Sequence, residues 1–474
     1  MSSITIIGSG PGGHIAAFEA ARRGAEVTLI EKAEIGGTCL NWGCIPTKTL
    51  KSSAEALETA GRLKDFGIAA EGADDSVSFK ADMEAIVARK ERVRKVLCGG
   101  LEKTCSALKI RVVHGTAELG SDKTVLVHTQ EGTEEIKSDS VIIATGSSIL
   151  DLPSLPVDHK HIINSDDALD LDHVPEKMVI VGGGVIGCEL AFIYRAFGAE
   201  VTIVEGMDRL LPVPSVDKDM SKLLQREAKK HRIKVQVAKT VKSAEVMDGK
   251  VRCVLGPSPF VENAKGGETT IEADVVLVAV GRTPNTDGLS LAGAGVETDE
   301  RGWIKADMNM RTSAEGIYAI GDILGPSRVM LAHVASHEGL CAVDNCFGKE
   351  RSLDYSAIPS GIFTSPEIGT VGLSEQEAVE KGFVVRSQVF QFRELGKAQA
   401  MGELAGMFKI VCEKESGKIL GAHIAGAHAT DLIAEAGLAI EKGLTAADVA
   451  HTIHAHPTLA EGLYECCEAW LRGC

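Results

Sequence analysis

The sequence predicts an α/β fold: two Rossmann-like units followed by an α+β C-terminal region. Three observations predict it. "ITIIGSGPGGHIAAFEAARRGAEVTLIE", near the start, reads as strand, Gly-rich turn, helix, strand. "KMVIVGGGVIGCELAFIYRAFGAEVTIVE", from Lys177, repeats that order. Near the end, "VVRSQVFQFR", "MFKIVCEK" and "KILGAHIAG" look like strands of an antiparallel sheet, and "TDLIAEAGLAIEKGL" and "TLAEGLYECCEAWLRG" carry helical periodicity.

Composition bounds the function. At 474 residues the chain exceeds one core and fits about three or four domains. A net charge of −16 excludes the basic footprint of a nucleic-acid binder. Anions could still be held locally by backbone N–H groups. No apolar run approaches the ~18 residues of a membrane span. The opening "MSSITIIGSG" runs straight into a β-type segment without a leader pattern, so the expected location is cytoplasmic and no membrane partner is expected. There the twelve cysteines should mostly be reduced, and a disulfide would be catalytic rather than structural.

In the first unit Ile4, Ile6 and Ile7 make a short buried strand. Gly8, Gly10 and Gly13 give G-x-G-x-x-G. The first glycine permits the tight turn, the second lets the backbone approach a pyrophosphate, and the third lets helix and strand pack closely. The helix start offers N–H groups and a positive dipole end to phosphates. The second strand closes on Glu31, which can accept from ribose hydroxyls. The repeat has Gly182, Gly184 and Gly187 and closes on Glu205. First glycine and acid stand at 8 and 31 in one copy and at 182 and 205 in the other, the same interval. Two dinucleotide sites imply two cofactors, or one cofactor and one nicotinamide substrate. "SVIIATGSS" and "GIYAIGDI" read as return strands whose ends, Thr145 with Gly146 and Gly321 with Asp322, could touch a cofactor or could be ordinary strand-to-turn junctions.

"GGTCLNWGCIPTK" places Cys39 and Cys44 close together, with Lys48 after them. Zinc needs about four ligands, and no second C-x₂₋₄-C lies nearby. Cys341 and Cys346 sit in a probable helix and read as core residues. A structural disulfide is disfavoured by compartment. A redox pair remains, with both thiols expected in the first turns of one helix, where the helix start favours thiolate. At the other end, "HTIHAHPTLAEG" holds His451, His454 and His456; their spacing matches no metal motif, and no metal is expected.

The ordered set "GSGPGG", "GGTCLNWGCIPTK", "ATGS", "GGGVIGCE", "VGRTPNT", "GIYAIGD", "LAHVASHEG", "IPSGIFTSPEIGTVGLSE" and "HAHPTLAEG" resembles the flavoprotein disulfide reductases, the class I pyridine nucleotide-disulfide oxidoreductases, over essentially the whole chain. His14, where an aromatic or small residue is usual, is a minor departure. The resemblance implies an FAD domain with the redox disulfide at 1–150, an NAD domain at 151–275, a central domain completing the FAD site at 276–348, and a dimerisation domain at 349–474. It implies FAD as a tight, non-covalent cofactor and NAD as a substrate. Beyond the residues already named, it implies FAD contacts at Pro11, Gly12, Lys32, Gly37, Thr38, Lys48, Gly115, Thr116, Ala117, Ala144, Leu331, Ala332 and His333. It implies NAD contacts at Val185, Ile186, Glu189 and Gly281.

The chemistry it implies is oxidation of protein-bound dihydrolipoamide by the Cys39–Cys44 disulfide. Cys39 is attacked, Cys44 leaves facing the flavin, and electrons pass through FAD to NAD. His456 matches the catalytic base and Glu461 the carboxylate that orients it, acting on the disulfide of a second subunit, so a homodimer is expected. Lys48 would pair with Glu189 beside the flavin. Glu205 accepts from a free ribose 2′-OH and repels a 2′-phosphate, which favours NAD over NADP; Arg209 is a slight counter-signal. The expected partners are lipoyl domains of 2-oxoacid dehydrogenase acyltransferases or the glycine cleavage H protein. The alternatives are a related NAD(P)H-dependent disulfide or mercuric reductase, for which Cys466, Cys467 and Cys474 are the relevant thiols, or a non-catalytic flavin-binding scaffold. The scaffold is opposed by the presence of all four reactive side chains.

Overall fold

The computed structural model describes residues 2–69 and 78–473, so Cys474 lies outside the described residues. It divides into two compact units. The first comprises Met1–Thr49, Val87–Leu150 and Gly281–Asp354; the second comprises Leu50–Ile86, Asp151–Val280 and Tyr355–Cys474.

The first unit is built on a parallel sheet in the order Ile317–Ala319, Ser140–Ile143, Ser3–Ile7, Glu26–Glu31, Arg111–His114. Its central strands are apolar almost throughout, as expected where both faces are covered, and Ile4, Ile6, Leu29, Ile142 and Ile143 are buried. The helix Pro11–Arg22 lies against the helix Ala332–Cys346. The contact is close because it is glycine-lined: a Cβ on Gly339 would stand 2.7 Å from the Gly12 carbonyl. An antiparallel sheet of Thr116–Leu119, Thr124–Thr129 and Gly132–Lys137 completes the unit, with a short ribbon pairing Arg282–Pro284 to Ser147–Ile149.

The second unit repeats the parallel arrangement in the order Lys234–Gln236, Glu200–Val204, Lys177–Val181, Val275–Val278, Ile162–Ile163. Its C-terminal part is α+β, as predicted. The sheet runs Ser360–Ile362, Glu367–Gly372, Ile419–Gly426, Met407–Glu413, Val385–Gln391, all antiparallel. The helix Ala429–Glu441 packs on the middle strands and Glu461–Arg472 on Val385–Gln391 and Met407–Glu413. The first two strands of this sheet were not anticipated. They are short and lie in "SGIFTSPEIGTVG", where Gly and Pro hide the period-2 signal.

One buried cation ties this part to the parallel-sheet part of the same unit. Lys409, 3% exposed, places Nζ 3.0 Å from Asp217 Oδ1, 2.7 Å from Asp219 Oδ2 and 2.8 Å from Glu375 Oε2. Asp217 also caps the helix Lys218–Lys230, accepting from the Asp219 N–H. Removing one partner of a buried ion pair leaves uncompensated charge. Lys409→Met is therefore expected to cost about 3 kcal/mol, read as a lower urea midpoint with no change in the far-UV spectrum of the folded protein.

Candidate active site

The two glycine-rich turns are copies down to individual hydrogen bonds. Gly8 has φ +103° and Gly182 φ +111°; a Cβ would stand 2.3 Å from the Ala144 carbonyl in the first and 2.2 Å from that of Ala279 in the second. No other residue fits either position. Glu31 accepts from the Ser9 N–H at 2.9 Å through one oxygen and from the Ala33 N–H at 2.9 Å through the other. Glu205 does the same with Gly183 at 2.5 Å and Met207 at 2.6 Å. Both acids are buried and brace their own turns, a role the sequence reading had not given them. Oε1 of Glu31 and both oxygens of Glu205 still have lone-pair capacity for a ribose hydroxyl.

These turns fit dinucleotides. The helices Pro11–Arg22 and Val185–Phe197 start at Gly10 and Gly184 without a side-chain cap, so their first N–H groups are left for a ligand. Cβ positions on both glycines open into free space. Thr145 Oγ1 is buried without a hydrogen-bond partner among the described residues, the mark of a group placed for a ligand.

The other predicted dinucleotide contacts are distributed around these turns. Pro11 and Gly12 open the first helix. Gly13 lies within it, so close to Gly8 that a Cβ would stand 1.9 Å from that residue's carbonyl. Lys32 follows Glu31 and is exposed. Gly115 donates its N–H to the Glu31 carbonyl at 3.0 Å, and Thr116 and Ala117 begin the next strand. Ala144 donates to the Ile7 carbonyl at 2.8 Å, and Gly146 follows with φ +68°. Leu331 caps the helix that Ala332 and His333 open. Asp322 follows Gly321 in a 3₁₀ turn and accepts from Ser147 Oγ at 2.8 Å. In the second unit Val185 and Ile186 open the helix that also carries Gly187 and the buried Glu189, whose Oε1 accepts from the Phe363 N–H at 2.9 Å. Gly281, expected among the NAD contacts, belongs to the first unit. Arg209 is committed locally: its guanidinium donates to the carbonyls of Val216 and Val213, each at 3.0 Å.

Cys39 and Cys44 are on successive helices, Gly37–Asn41 and Cys44–Gly61, not in the first turns of one helix. Pro46 gives the reason. It has no N–H for the carbonyl of Trp42, and its ring would clash there in a continuous helix. The chain instead turns at Trp42 and Gly43 and restarts with Cys44. Gly37, at φ +59°, brings this segment against the first dinucleotide turn; a Cβ on it would stand 2.7 Å from Gly10 Cα. Both cysteines are thiols, Cys44 exposed and Cys39 half-buried. A hydrogen bond with Cys44, then burial, pushes the Cys39 thiol up, and the positive charge of Lys48 opposes the shift.

Two positioning residues escaped the sequence reading. Asn41, which stands between the two thiols in sequence and is buried, donates to the carbonyls of Ile35 at 3.1 Å and Gly37 at 3.0 Å and accepts from Arg94 at 3.0 Å. Ser9 donates Oγ–H to Glu31 at 2.6 Å and accepts from the Gly36 N–H at 3.0 Å, joining the dinucleotide turn to the thiol segment. An amide side chain between the two cysteines of the motif was the available signal for the first. Nothing local marks the second.

In the second unit His456 Nδ1 lies 2.8 Å from Glu461 Oε1. The other oxygen of Glu461 accepts from the Thr458 N–H at 2.8 Å. That backbone bond, with His456 second, holds the carboxyl below its ordinary value. Nδ1 therefore donates to a carboxylate, which leaves Nε2 as the basic nitrogen of the neutral ring. The imidazole is exposed, and Nε2 has no partner among the described residues. His454 is different: Glu435 holds its Nε2 at 2.8 Å and the Thr452 carbonyl its Nδ1 at 2.8 Å, so both nitrogens are used. His451 ends the helix Ala446–Ala450.

Of the other described cysteines, the buried Cys98 lies beside the thiol segment, with Sγ 3.4 Å from the Ile35 carbonyl and 3.5 Å from Asn41 Oδ1. Cys466 and Cys467 are buried on the helix Glu461–Arg472, where burial pushes both thiols up, and Cys466 Sγ faces the Gln388 carbonyl at 3.3 Å. Cys341 is buried, 3.2 Å from the Arg351 carbonyl, and Cys346 is half-buried. Among the described residues no group of three or more His, Cys, Asp or Glu could hold a metal ion. No described helix is long and apolar enough to cross a membrane.

A paired thiol segment resting on one of two dinucleotide turns defines a nucleotide-linked disulfide oxidoreductase, and comparison with known proteins gives the same class. Residues 2–339 match the pyridine nucleotide-disulphide oxidoreductase family and residues 358–466 its dimerisation domain; the chain belongs to this family. Within it, the chain is similar to dihydrolipoyl dehydrogenases. It is 40% identical to that of Bacillus subtilis over 98% of this chain and 95% of the relative. It is 42% identical to that of Chlorobaculum parvum over 99% and 97%. It is 39% identical to dihydrolipoyl dehydrogenase 3 of Haloarcula marismortui over 98% and 95%. The crystal structure of LpdA from Mycobacterium tuberculosis superposes with a TM-score of 0.89 at 26% identity, covering 99% of this chain and 100% of that one. The copper(II) complex of the HOCl-induced flavoprotein disulfide reductase RclA from Escherichia coli gives 0.85 at 26%, covering 98% and 99%.

Proposed function

We propose that the protein is a dihydrolipoyl dehydrogenase, oxidising protein-bound dihydrolipoamide through Cys39 and Cys44 and reducing NAD. The observation that carries this reading is the hydrogen-bonded thiol pair on a segment that Gly37 packs against Gly10. His456 Nε2 takes the proton from a substrate thiol while Glu461 holds Nδ1–H. The substrate thiolate attacks Cys39 Sγ, the Cys39–Cys44 bond breaks, and Cys44 leaves as thiolate. The second substrate thiol attacks the substrate sulfur of the mixed disulfide, its proton passing to Cys39, which is released as the thiol, and the lipoyl disulfide departs. The substrate has lost two electrons and the protein disulfide has gained them. FAD, when bound, supplies the two-electron relay from Cys44 to NAD.

The division into FAD, NAD, central and dimerisation regions at 1–150, 151–275, 276–348 and 349–474 belongs to this reading. So does a homodimer in which His456 acts on the partner subunit's disulfide, supported by the match to the dimerisation domain. Pairing of Lys48 with Glu189 beside the flavin, lipoyl domains of 2-oxoacid dehydrogenase or glycine cleavage systems as partners, and a cytoplasmic location are part of the same proposal.

The test is steady-state oxidation of dihydrolipoamide with NAD and NADP side by side. NAD is expected to win in kcat/KM by a large factor, because Glu205 closes the second turn and Arg209 is spent on Val213 and Val216. Glu205→Arg is expected to narrow that gap. It also loses both backbone bonds of the acid, so its absolute rate with NAD should fall. Equal use of the two nucleotides by the unaltered enzyme would contradict the assignment.

A further inference from the structure

Phe260 is 69% exposed, although it lies beside the end of the second dinucleotide turn. Scattered exposed apolar residues are normal on a protein surface. This ring is distinguished by how it is held. The Glu205 carbonyl accepts from the Lys239 N–H at 3.0 Å, and the Met207 carbonyl accepts from the Ala238 N–H at 2.7 Å. Ala238 in turn accepts from the Ser258 N–H at 3.0 Å, and the buried Ser258 accepts through Oγ from the Phe260 N–H at 3.2 Å. Backbone bonds thus run from the two residues flanking Gly206 to Ser258, whose side chain makes the last link to the ring's own residue. The ring rests on Gly206 itself: a Cβ there would stand 3.1 Å from Phe260 Cδ2. Gly206 directly follows Glu205.

We propose that Phe260 is the wall on which the adenine of the pyridine nucleotide stacks. The inference rests on the reading of Glu205 as the ribose acid. A ribose hydroxyl at that carboxylate brings the attached base to the residues around Gly206, and an anchored aromatic face is what a base recognises without hydrogen bonds. The ring adds affinity for the adenosine half and contributes nothing to the nicotinamide half.

The test is calorimetric titration of the FAD-loaded enzyme with ADP-ribose and, separately, with nicotinamide mononucleotide. Base–aromatic stacking is worth about 1–3 kcal/mol per base by alanine substitution, which converts to about 5- to 150-fold in affinity. Phe260→Ala is expected to weaken ADP-ribose by at least about fivefold and to leave the mononucleotide unchanged. Phe260→Trp is expected to keep ADP-ribose affinity and to add emission, beyond that of the three native tryptophans, that is quenched by ADP-ribose. ADP-ribose bound equally by the unaltered and Phe260→Ala proteins would overturn the wall while leaving the nucleotide site intact. Equal weakening of both ligands would overturn it as well, because the loss would then be general distortion. An unaltered enzyme that binds neither ADP-ribose nor NAD would overturn the nucleotide reading of Glu205 and the wall with it.

Discussion

Cys44→Ser protein is expected to have no measurable dihydrolipoamide turnover, and Cys39→Ser none either. A serine hydroxyl is neither the nucleophile nor the leaving group that thiol–disulfide exchange requires. The two variants should nevertheless differ. Two-electron reduction of the FAD-loaded unaltered enzyme is expected to give a long-wavelength absorbance from a thiolate beside the flavin. Cys44→Ser should lack that band under all conditions. Cys39→Ser should show it without added reductant, because the Cys44 thiolate is then permanent. Full turnover by Cys39→Ser would refute the assignment of the thiols, and a band in Cys44→Ser would reverse their order.

The second large effect is expected at the base. Proton removal by a positioned side chain contributes about 10²–10⁴-fold, so His456→Gln should slow dihydrolipoamide oxidation at least about a hundredfold. Electron transfer from NADH through the enzyme to an artificial acceptor does not use this base and should survive. Glu461→Gln should cost less: the amide can still accept from Nδ1–H, but it no longer stabilises the imidazolium. The depressed carboxyl fixes the pH range of that support. A group whose pKa falls on folding contributes above its unfolded value and loses the contribution as pH drops through its folded one. The dyad should therefore persist at neutral pH and weaken only in acid, below the ordinary Glu value. Mixing His456→Gln with Cys44→Ser protomers tests the subunit arrangement. Heterodimers with one intact disulfide facing one intact histidine should recover activity that both parent homodimers lack. No recovery in confirmed heterodimers would put both halves of the chemistry in one chain.

The legible parts of the site were those that local sterics dictate. Gly8 and Gly182 have positive φ and a carbonyl where a Cβ would be, so the turns had to be written in glycine. The strand before each turn and the acid after it follow from the short connection, and the two copies could be matched residue for residue. The His456–Glu461 dyad spans five residues and a proline, close enough for a family motif to carry it. The thiol segment was legible in its chemistry but not in its shape, because the break at Trp42 and Gly43 depends on how Pro46 restarts the helix.

The sequence by itself therefore determined two dinucleotide turns, an α+β end, a thiol pair and a histidine with its carboxylate, because each is encoded within a few consecutive residues. Tertiary structure alone decided which groups brace them. Arg94 reaches Asn41 across 53 positions and Lys409 reaches Asp217 across 192, and in each case the partner is selected by the packing of separate elements. Ser9 reaches Gly36 across 27 positions because the strand Glu26–Glu31 returns the chain beside Ser3–Ile7. The use of Arg209 was also undecidable from spacing. A guanidinium four residues past the acid can face a phosphate or its own loop, and only the path of Val213 to Val216 brings two carbonyls to it first.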